Sequence, residues 1–244
     1  MHASLHLTRR AFVGLSGLAA AGLFMPGNEG TGLAAAAGST GKPSGSLAPD
    51  KVLRKLLDGN HRFMKGNTAN PRRKPADFAP LAEGQNPMAV IVGCADSRVS
   101  PEILFDQGVG DLFVVRVAGN VIRGAGAAIK GSIEYAVAEL GVSLVMVLGH
   151  TQCGAVKAAL KHIDAKDVLP GAINGLVNTI KPAVTRAKGQ AGDALENAIR
   201  ANVEIGVQRL KSLEPILAGP VRKGKVKVVG GVYNLRTGGV KIIA

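Results

Sequence analysis

Three short apolar runs, MAVIVG (88–93), DLFVVRVAG (111–119) and SLVMVLG (143–149), constrain this 244-residue chain more than any other feature. Each is continuous rather than alternating and rich in Val, Ile and Leu, as strands buried on both faces are. Between the second and third lies GAAIKGSIEYAVAELG (126–141), an amphipathic helical pattern that stops at Gly141. Strand, helix and strand in that order imply parallel strands joined by a right-handed crossover. CGAVKAALKHI (153–163) starts another helix directly after the third run, and helical stretches follow at about 172–187 and 192–213. Upstream, APDKVLRKLLDGNHRFMKGN (48–67) spaces Val52, Leu53, Leu56, Leu57 and Phe63 helically, with Asp50 as the expected cap after Pro49. KVKVVGGVYNL (225–235) and GVKIIA (239–244) read as two closing strands around a turn at 236–239. The expected fold is a single α/β domain with a mainly parallel central β-sheet flanked by helices, without internal repeats.

The chain does not begin with that domain. LTRRAFVGLSGLAAAGLF (7–24) joins Arg9, Arg10 and Phe12 to an apolar stretch of small residues, closed by Pro26 and Gly27. The stretch is short for a membrane span of roughly 20 residues, and Ala34–Ala37 offer small-residue cleavage positions. It resembles a twin-arginine (Tat) export signal. The expected organisation is therefore a signal peptide at 1–37, a flexible Gly/Ser/Pro-rich linker at 38–49 and a folded domain at 50–244. Such a signal implies export after folding to a periplasmic or secreted location, with any metal already loaded. No stable membrane span is expected after cleavage.

Lysine and arginine outnumber the acids to give a formal charge of +13, gathered mainly at 51–74 and 222–227. Neither cluster is interleaved with aromatic residues or matches a nucleic-acid-binding module, so a nucleic-acid partner is not expected. A solvated basic surface is the reading, with attraction for anions as a consequence.

The chemistry gathers at the ends of the apolar runs. GCADSRV (93–99) places Cys94 just after the first run, and LGHTQCGAV (148–156) places His150 just after the third, with Cys153 three positions on. Ligands of open parallel sheets collect beyond the carboxyl ends of the strands. If the two strands are neighbours, their ends lie about 5 Å apart and Cys94, His150 and Cys153 converge. Two thiolates and an imidazole suit Zn²⁺, one per subunit, and three protein ligands leave a position open for water. Asp96 can complete the shell, a closed form, or sit beside the water. Arg98, two residues on, can pair with Asp96 bidentately and hold it off the metal. Asp96 then accepts a hydrogen bond from zinc-bound hydroxide and aims its lone pair at substrate. These are also the chain's two cysteines, so a single disulfide is a competing reading.

Taken together, CADSRV and HTQCGA resemble the two signature segments of β-class carbonic anhydrases, and the resemblance covers about residues 50–243. It implies reversible hydration of carbon dioxide to bicarbonate and a proton, by zinc-hydroxide attack assisted by the Asp96/Arg98 dyad. DGNHRF (58–63) is similar to the family's N-terminal helix motif, where Asn60 and Phe63 are structural. The resemblance also assigns Gln85 as a hydrogen-bonding partner of substrate or product. Phe113, Tyr135 and Val99 line a narrow apolar pocket, and Gly154 offers its backbone N–H to a bound oxygen. Ala118 stands where some members carry valine. The family builds its site at a dimer interface, which implies a homodimer or higher even oligomer in which Gln85, Phe113 and Tyr135 serve a partner's zinc. Some members carry a second, inhibitory bicarbonate site. Arg116 and Tyr233 match it, but Ile91 stands at its tryptophan position, and a structural ion-pair role is the alternative for Arg116. His61 and His162 are the candidate proton shuttles.

Three other readings remain open at this level. One is a structural zinc protein, with Asp96 as fourth ligand, that meets partners through its basic face. Another is the same scaffold hydrolysing carbonyl sulfide or carbon disulfide. The third is a thiol-redox protein joining Cys94 to Cys153, which leaves His150, Asp96 and Arg98 without roles.

Overall fold

The computed structural model describes residues 47–244. The proposed signal peptide and all but the last three residues of the linker lie outside the described residues. Five strands form one sheet in the order β2-β1-β3-β4-β5. They are β1 (Ala89–Gly93), β2 (Leu112–Arg116), β3 (Leu144–His150), β4 (Lys227–Tyr233) and β5 (Val240–Ile242). The first four are parallel and β5 runs antiparallel against β4. The expected mainly parallel α/β fold is the observed one.

Side-chain alternation explains why β1 and β3 read as unbroken apolar runs. Val90, Val92, Val145 and Val147 point to one face, against Ile133 and Ala136 of α3 (Gly126–Ala138) and Val203, Val207 and Leu210 of α6 (Ala194–Lys211). Ala89, Ile91, Leu144, Met146 and Leu148 point to the other, against Val52 and Leu56 of α1 (Pro49–Met64) and Leu104 and Phe105 around α2 (Pro101–Leu104). Both faces are covered, so both sets of positions must be apolar. A third cluster joins α4 (Gly154–Ala165), α5 (Ala172–Ala187) and α6 and takes in Cys94 and Cys153. A short helix, α7 (Ala218–Arg222), precedes β4.

Two expectations need correction. The run at 111–119 is an edge strand rather than one buried on both faces: within β2 only Val115 is buried, because one side has no neighbour. The strand also ends at Arg116, and residues Ala118–Asn120 form a tight turn in which Gly119 is left-handed at φ 70°. Asp50 does not cap α1. Ala48 occupies the cap position, Pro49 opens the helix, and the Asp50 carboxylate instead accepts from Lys227 Nζ at 2.6 Å.

The helix motif at 58–63 has a clear structural use. Buried Asn60 donates from Nδ2 to the Leu104 and Gly238 carbonyls, and its Oδ1 accepts from Val240 N. One side chain thus fastens α1 to α2 and to the β4–β5 turn. Gly59 lets the helix press onto the chain beneath, since a Cβ there would lie 1.8 Å from the Phe105 carbonyl oxygen. Among the described residues no helix is long and apolar enough to cross a membrane.

Candidate metal centre

Strands β1 and β3 are direct neighbours, with Gly93 opposite Leu148. Cys94 therefore leaves the sheet beside His150, which is the last residue of β3 rather than the first residue after it. Cys153 follows after a two-residue turn, with Gln152 at φ 57°, and stands at the N-cap of α4. The ligand atoms of Cys94, His150 and Cys153 all lie within 4.8 Å of one another, and all three residues are buried.

The chemistry of this cluster fits a cation. His150 Nδ1 lies 2.9 Å from the Thr151 carbonyl oxygen. A carbonyl only accepts, so Nδ1 carries the proton and Nε2 keeps its lone pair. That Nε2 is buried and has no hydrogen-bond partner. An orphaned buried acceptor is costly unless something outside the protein fills the place. Thr151 is itself fixed: its N–H donates to Tyr233 O at 2.9 Å and its Oγ1 accepts from Leu235 N at 3.1 Å. The imidazole thus has a built support of the kind that orients metal ligands.

The two sulfurs are 4.0 Å apart and both cysteines are free. A disulfide would bring them to about 2.05 Å. The observed distance is close to the edge of about 3.8 Å of a tetrahedron with metal–sulfur bonds of about 2.3 Å. Cys94 Sγ also accepts from Gly119 N at 3.2 Å and from Asp96 N at 3.4 Å. Its hydrogen bond with Cys153, with further help from these two amides, holds the Cys94 thiol well below its ordinary range despite burial. Cys153 is pushed up, because it is the hydrogen-bond partner of Cys94, because it is buried and because a second negative charge would face the first. Two thiolates at this distance need a positive charge between them.

Asp96 stands beside the cluster and is held by Arg98. Its Oδ1 accepts from Arg98 N at 3.0 Å and Nε at 2.9 Å, and its Oδ2 from Nη2 at 2.7 Å. The guanidinium keeps the Asp96 carboxyl well below the usual carboxylate range, although partial burial opposes it. Oδ2 is 3.7 Å from His150 Nε2, so the carboxylate overlooks the orphaned nitrogen without belonging to the close cluster.

The remaining pocket candidates are more scattered. Gly154 opens α4 and is exposed, with open space where a Cβ would stand. Phe113 on β2 and Tyr135 on α3 pair with ring centroids 6.3 Å apart, and Tyr135 is 48% exposed beside the open sheet edge. Gln85 is exposed on the segment before β1. Val99 is fully buried in the same cluster as Leu104 and Phe105. His61 is exposed on α1, and His162 Nδ1 faces the Asp167 carboxylate at 2.8 Å. A cavity of about 380 Å³ borders Thr151, Arg200 and Val240, but none of the cluster residues lines it.

Sequence reasoning missed part of the support. Arg116 makes no ion pair among the described residues; its Nε donates to Cys94 O at 2.9 Å and Nη2 to Asp96 O at 2.6 Å. It grips the turn that carries both residues. Tyr233 is buried and its phenol is pushed up by that burial. Gly119 touches Cys94 across 25 residues, and only the glycine after an apolar run hinted at a turn there.

Residues 89–240 match the model of the carbonic anhydrase family. The chain is 39% identical over 194 residues to a carbonic anhydrase of Mycolicibacterium smegmatis, spanning 80% of this chain and 93% of the relative. It is 40% identical over 190 residues to carbonic anhydrase 2 of Mycobacterium tuberculosis, spanning 78% and 90%. Among solved structures, the β-carbonic anhydrase CcaA aligns with a TM-score of 0.63 at 27% identity, over 79% of this chain and 95% of that one. The Coccomyxa β-carbonic anhydrase in complex with acetazolamide aligns with a TM-score of 0.60 at 29% identity, over 78% and 86%.

Proposed function

This chain belongs to the β-class carbonic anhydrase family, and from that premise we propose that it hydrates carbon dioxide reversibly to bicarbonate and a proton. The observation that carries the reading is the buried, unpartnered Nε2 of His150 facing two thiols. Cys94 Sγ, His150 Nε2 and Cys153 Sγ would hold one Zn²⁺ per subunit. Bound there, zinc supplies Lewis acidity, which makes water a competent nucleophile at neutral pH.

The chain's own groups do the rest. Asp96 Oδ2 would accept a hydrogen bond from the attacking water, which leaves the water's lone pair facing the carbon of carbon dioxide. Arg98 occupies both Asp96 oxygens and so keeps the carboxylate in that role instead of letting it become a fourth ligand. This arrangement favours catalysis over the structural-zinc reading, which needs Asp96 in the cluster. Carbon dioxide is small and apolar, so Phe113, Tyr135 and Val99 suit its entry by excluding water. Gln85 and the Gly154 N–H would hold the product oxygens as charge develops on them.

Gln85, Phe113 and Tyr135 complete the site across a homodimer, or a higher even oligomer, each serving the partner's metal. Support comes from the open edge of β2 and the exposed Tyr135 ring next to it. Export by the Tat route to the periplasm or beyond remains part of the proposal and rests on Arg9, Arg10 and the apolar stretch after them.

Replacing Cys153 with serine tests the metal assignment. The variant should lose both bound zinc, measured by atomic absorption, and carbon dioxide hydration. A Cys153→Ser protein that keeps stoichiometric zinc and full turnover would remove Cys153 from the site.

A further inference from the structure

One contact to the cluster comes from a residue with no ligand chemistry of its own. Gly119 N donates to Cys94 Sγ at 3.2 Å, while the carbonyl oxygen of the same residue accepts from Asn202 Nδ2 at 2.7 Å. Gly119 is thus held at both ends. It sits in the left-handed region at φ 70°, which glycine adopts without the steric cost a side chain would bring. Space is tight as well: a Cβ there would lie 2.9 Å from Ile180 Cδ1 and 3.1 Å from Ala155 Cβ.

Asn202 reaches this turn from α6, across 83 residues, and is 7% exposed. Its helix is firmly seated on the sheet. The neighbouring Val203 packs so closely that a Cβ on Gly149 would lie 2.6 Å from it, and one on Gly230 would lie 2.7 Å from it. The Asn202 amide therefore projects from a fixed frame onto a turn that would otherwise rotate about the Gly119 backbone.

We propose that Asn202 is a positioning residue of the metal centre: by pinning the Gly119 carbonyl it keeps the Gly119 N–H on the sulfur of Cys94. The inference rests on the reading of Cys94, His150 and Cys153 as a zinc site. An N–H donor fixes the direction in which a ligating sulfur faces the metal and tempers its donation, as outer partners of metal ligands do. Without Asn202 the turn relaxes, the donor drifts off and Cys94 becomes a poorer ligand for zinc, although no atom of Asn202 touches the metal.

Asn202→Leu fills most of the same volume and removes the donor. In the full chain, zinc affinity measured by chelator competition should fall about tenfold or more, the range seen when partners of metal ligands are lost. With cobalt(II) in the site, the sulfur-to-cobalt charge-transfer band should move to longer wavelength, because sulfur lone pairs without a hydrogen bond lie higher in energy. Leu210→Ala, a core truncation on the same helix, should lower thermal stability yet leave affinity and band unchanged, which separates positioning from loosening of the fold. Affinity within about twofold of wild type in Asn202→Leu, with an unmoved band, overturns the proposal. A second readout needs no variant: in the cadmium-113 form of the wild type, the Gly119 amide proton should show a scalar coupling to the metal through the N–H···S bond. Its absence in a cadmium-loaded protein overturns the proposal too, even if Asn202→Leu does not fold. A wild-type chain that binds none of the three metals refutes the zinc reading itself, a different outcome from variants that bind as wild type does.

Discussion

Replacing Asp96 with asparagine should leave the metal in place and remove most of the turnover. Three donors of Arg98 converge on the carboxylate, two on Oδ1 and one on Oδ2. An asparagine offers one carbonyl oxygen and one NH₂ in those two places. If the oxygen keeps the Arg98 N and Nε contacts, the NH₂ lands where Oδ2 stood, against Nη2, and the acceptor that faces His150 Nε2 is gone. If the side chain flips, the NH₂ meets the N–H and Nε–H of Arg98 and the clamp fails. Neither orientation preserves both the clamp and the acceptor. Loss of one positioned hydrogen-bonding group at the reacting atoms costs about 10²- to 10³-fold, which is about 2.7–4 kcal/mol of barrier. Stopped-flow carbon dioxide hydration, with zinc measured on the same sample, decides the matter. Zinc should stay near one per chain, because the close cluster consists of Cys94, His150 and Cys153. A kcat/KM within about threefold of wild type, at full zinc, would refute the role given to Asp96.

Other consequences concern the frame that holds the site. Gly59→Ala would put a Cβ 1.8 Å from the Phe105 carbonyl oxygen, so α1 must lift. A loss of about 1–3 kcal/mol or more should appear as a lower Tm, and an unchanged melt would contradict the close approach. Fully buried Asp106 accepts from Arg62 Nε, Ala69 N and Asn70 N at 2.7–2.9 Å. Asp106→Ala removes the shared acceptor of these donors and should cost about 1–3 kcal/mol in denaturant unfolding. Burial alone would raise the Asp106 pKa, but these donors outweigh it and the net direction is down. Its contribution to stability is therefore complete above the unfolded value of about 3.9 and is lost as the pH falls through the lower folded value. The pH dependence of stability below about pH 4 should be shallower in Asp106→Ala, and an identical slope would count against the assignment.

Much of this architecture was legible because β1 and β3 are buried on both faces and carry apolar residues, mostly Val, Ile and Leu, at most positions. Their ends then located Cys94 and His150, and the two-residue spacing to Cys153 did the rest. The same argument failed for β2. An apolar run does not disclose whether a strand has one neighbour or two, and Phe113 and Val114 stay only partly buried at the sheet edge. Local capping logic failed for Asp50, since its partner Lys227 lies 177 residues away. Arg116 carried a charge that suggested an ion pair, yet two backbone carbonyls on the Cys94–Asp96 turn take its donors. Asn202 gave no signal, because a buried asparagine in a helix announces nothing until the turn it meets is known. What stayed hidden is the set of contacts made by residues distant in sequence. That set supports the ligands rather than supplying them.

The central claim is that the Cys94, His150 and Cys153 cluster, with Asp96 beside it, hydrates carbon dioxide. The most direct measurement is stopped-flow carbon dioxide hydration by the zinc-loaded chain, near pH 7 and again near pH 8.5, with metal content assayed on each sample. Rapid turnover that rises with pH, and disappears when zinc is stripped under reducing conditions, is the predicted result. A fully zinc-loaded protein with no turnover at either pH would contradict it.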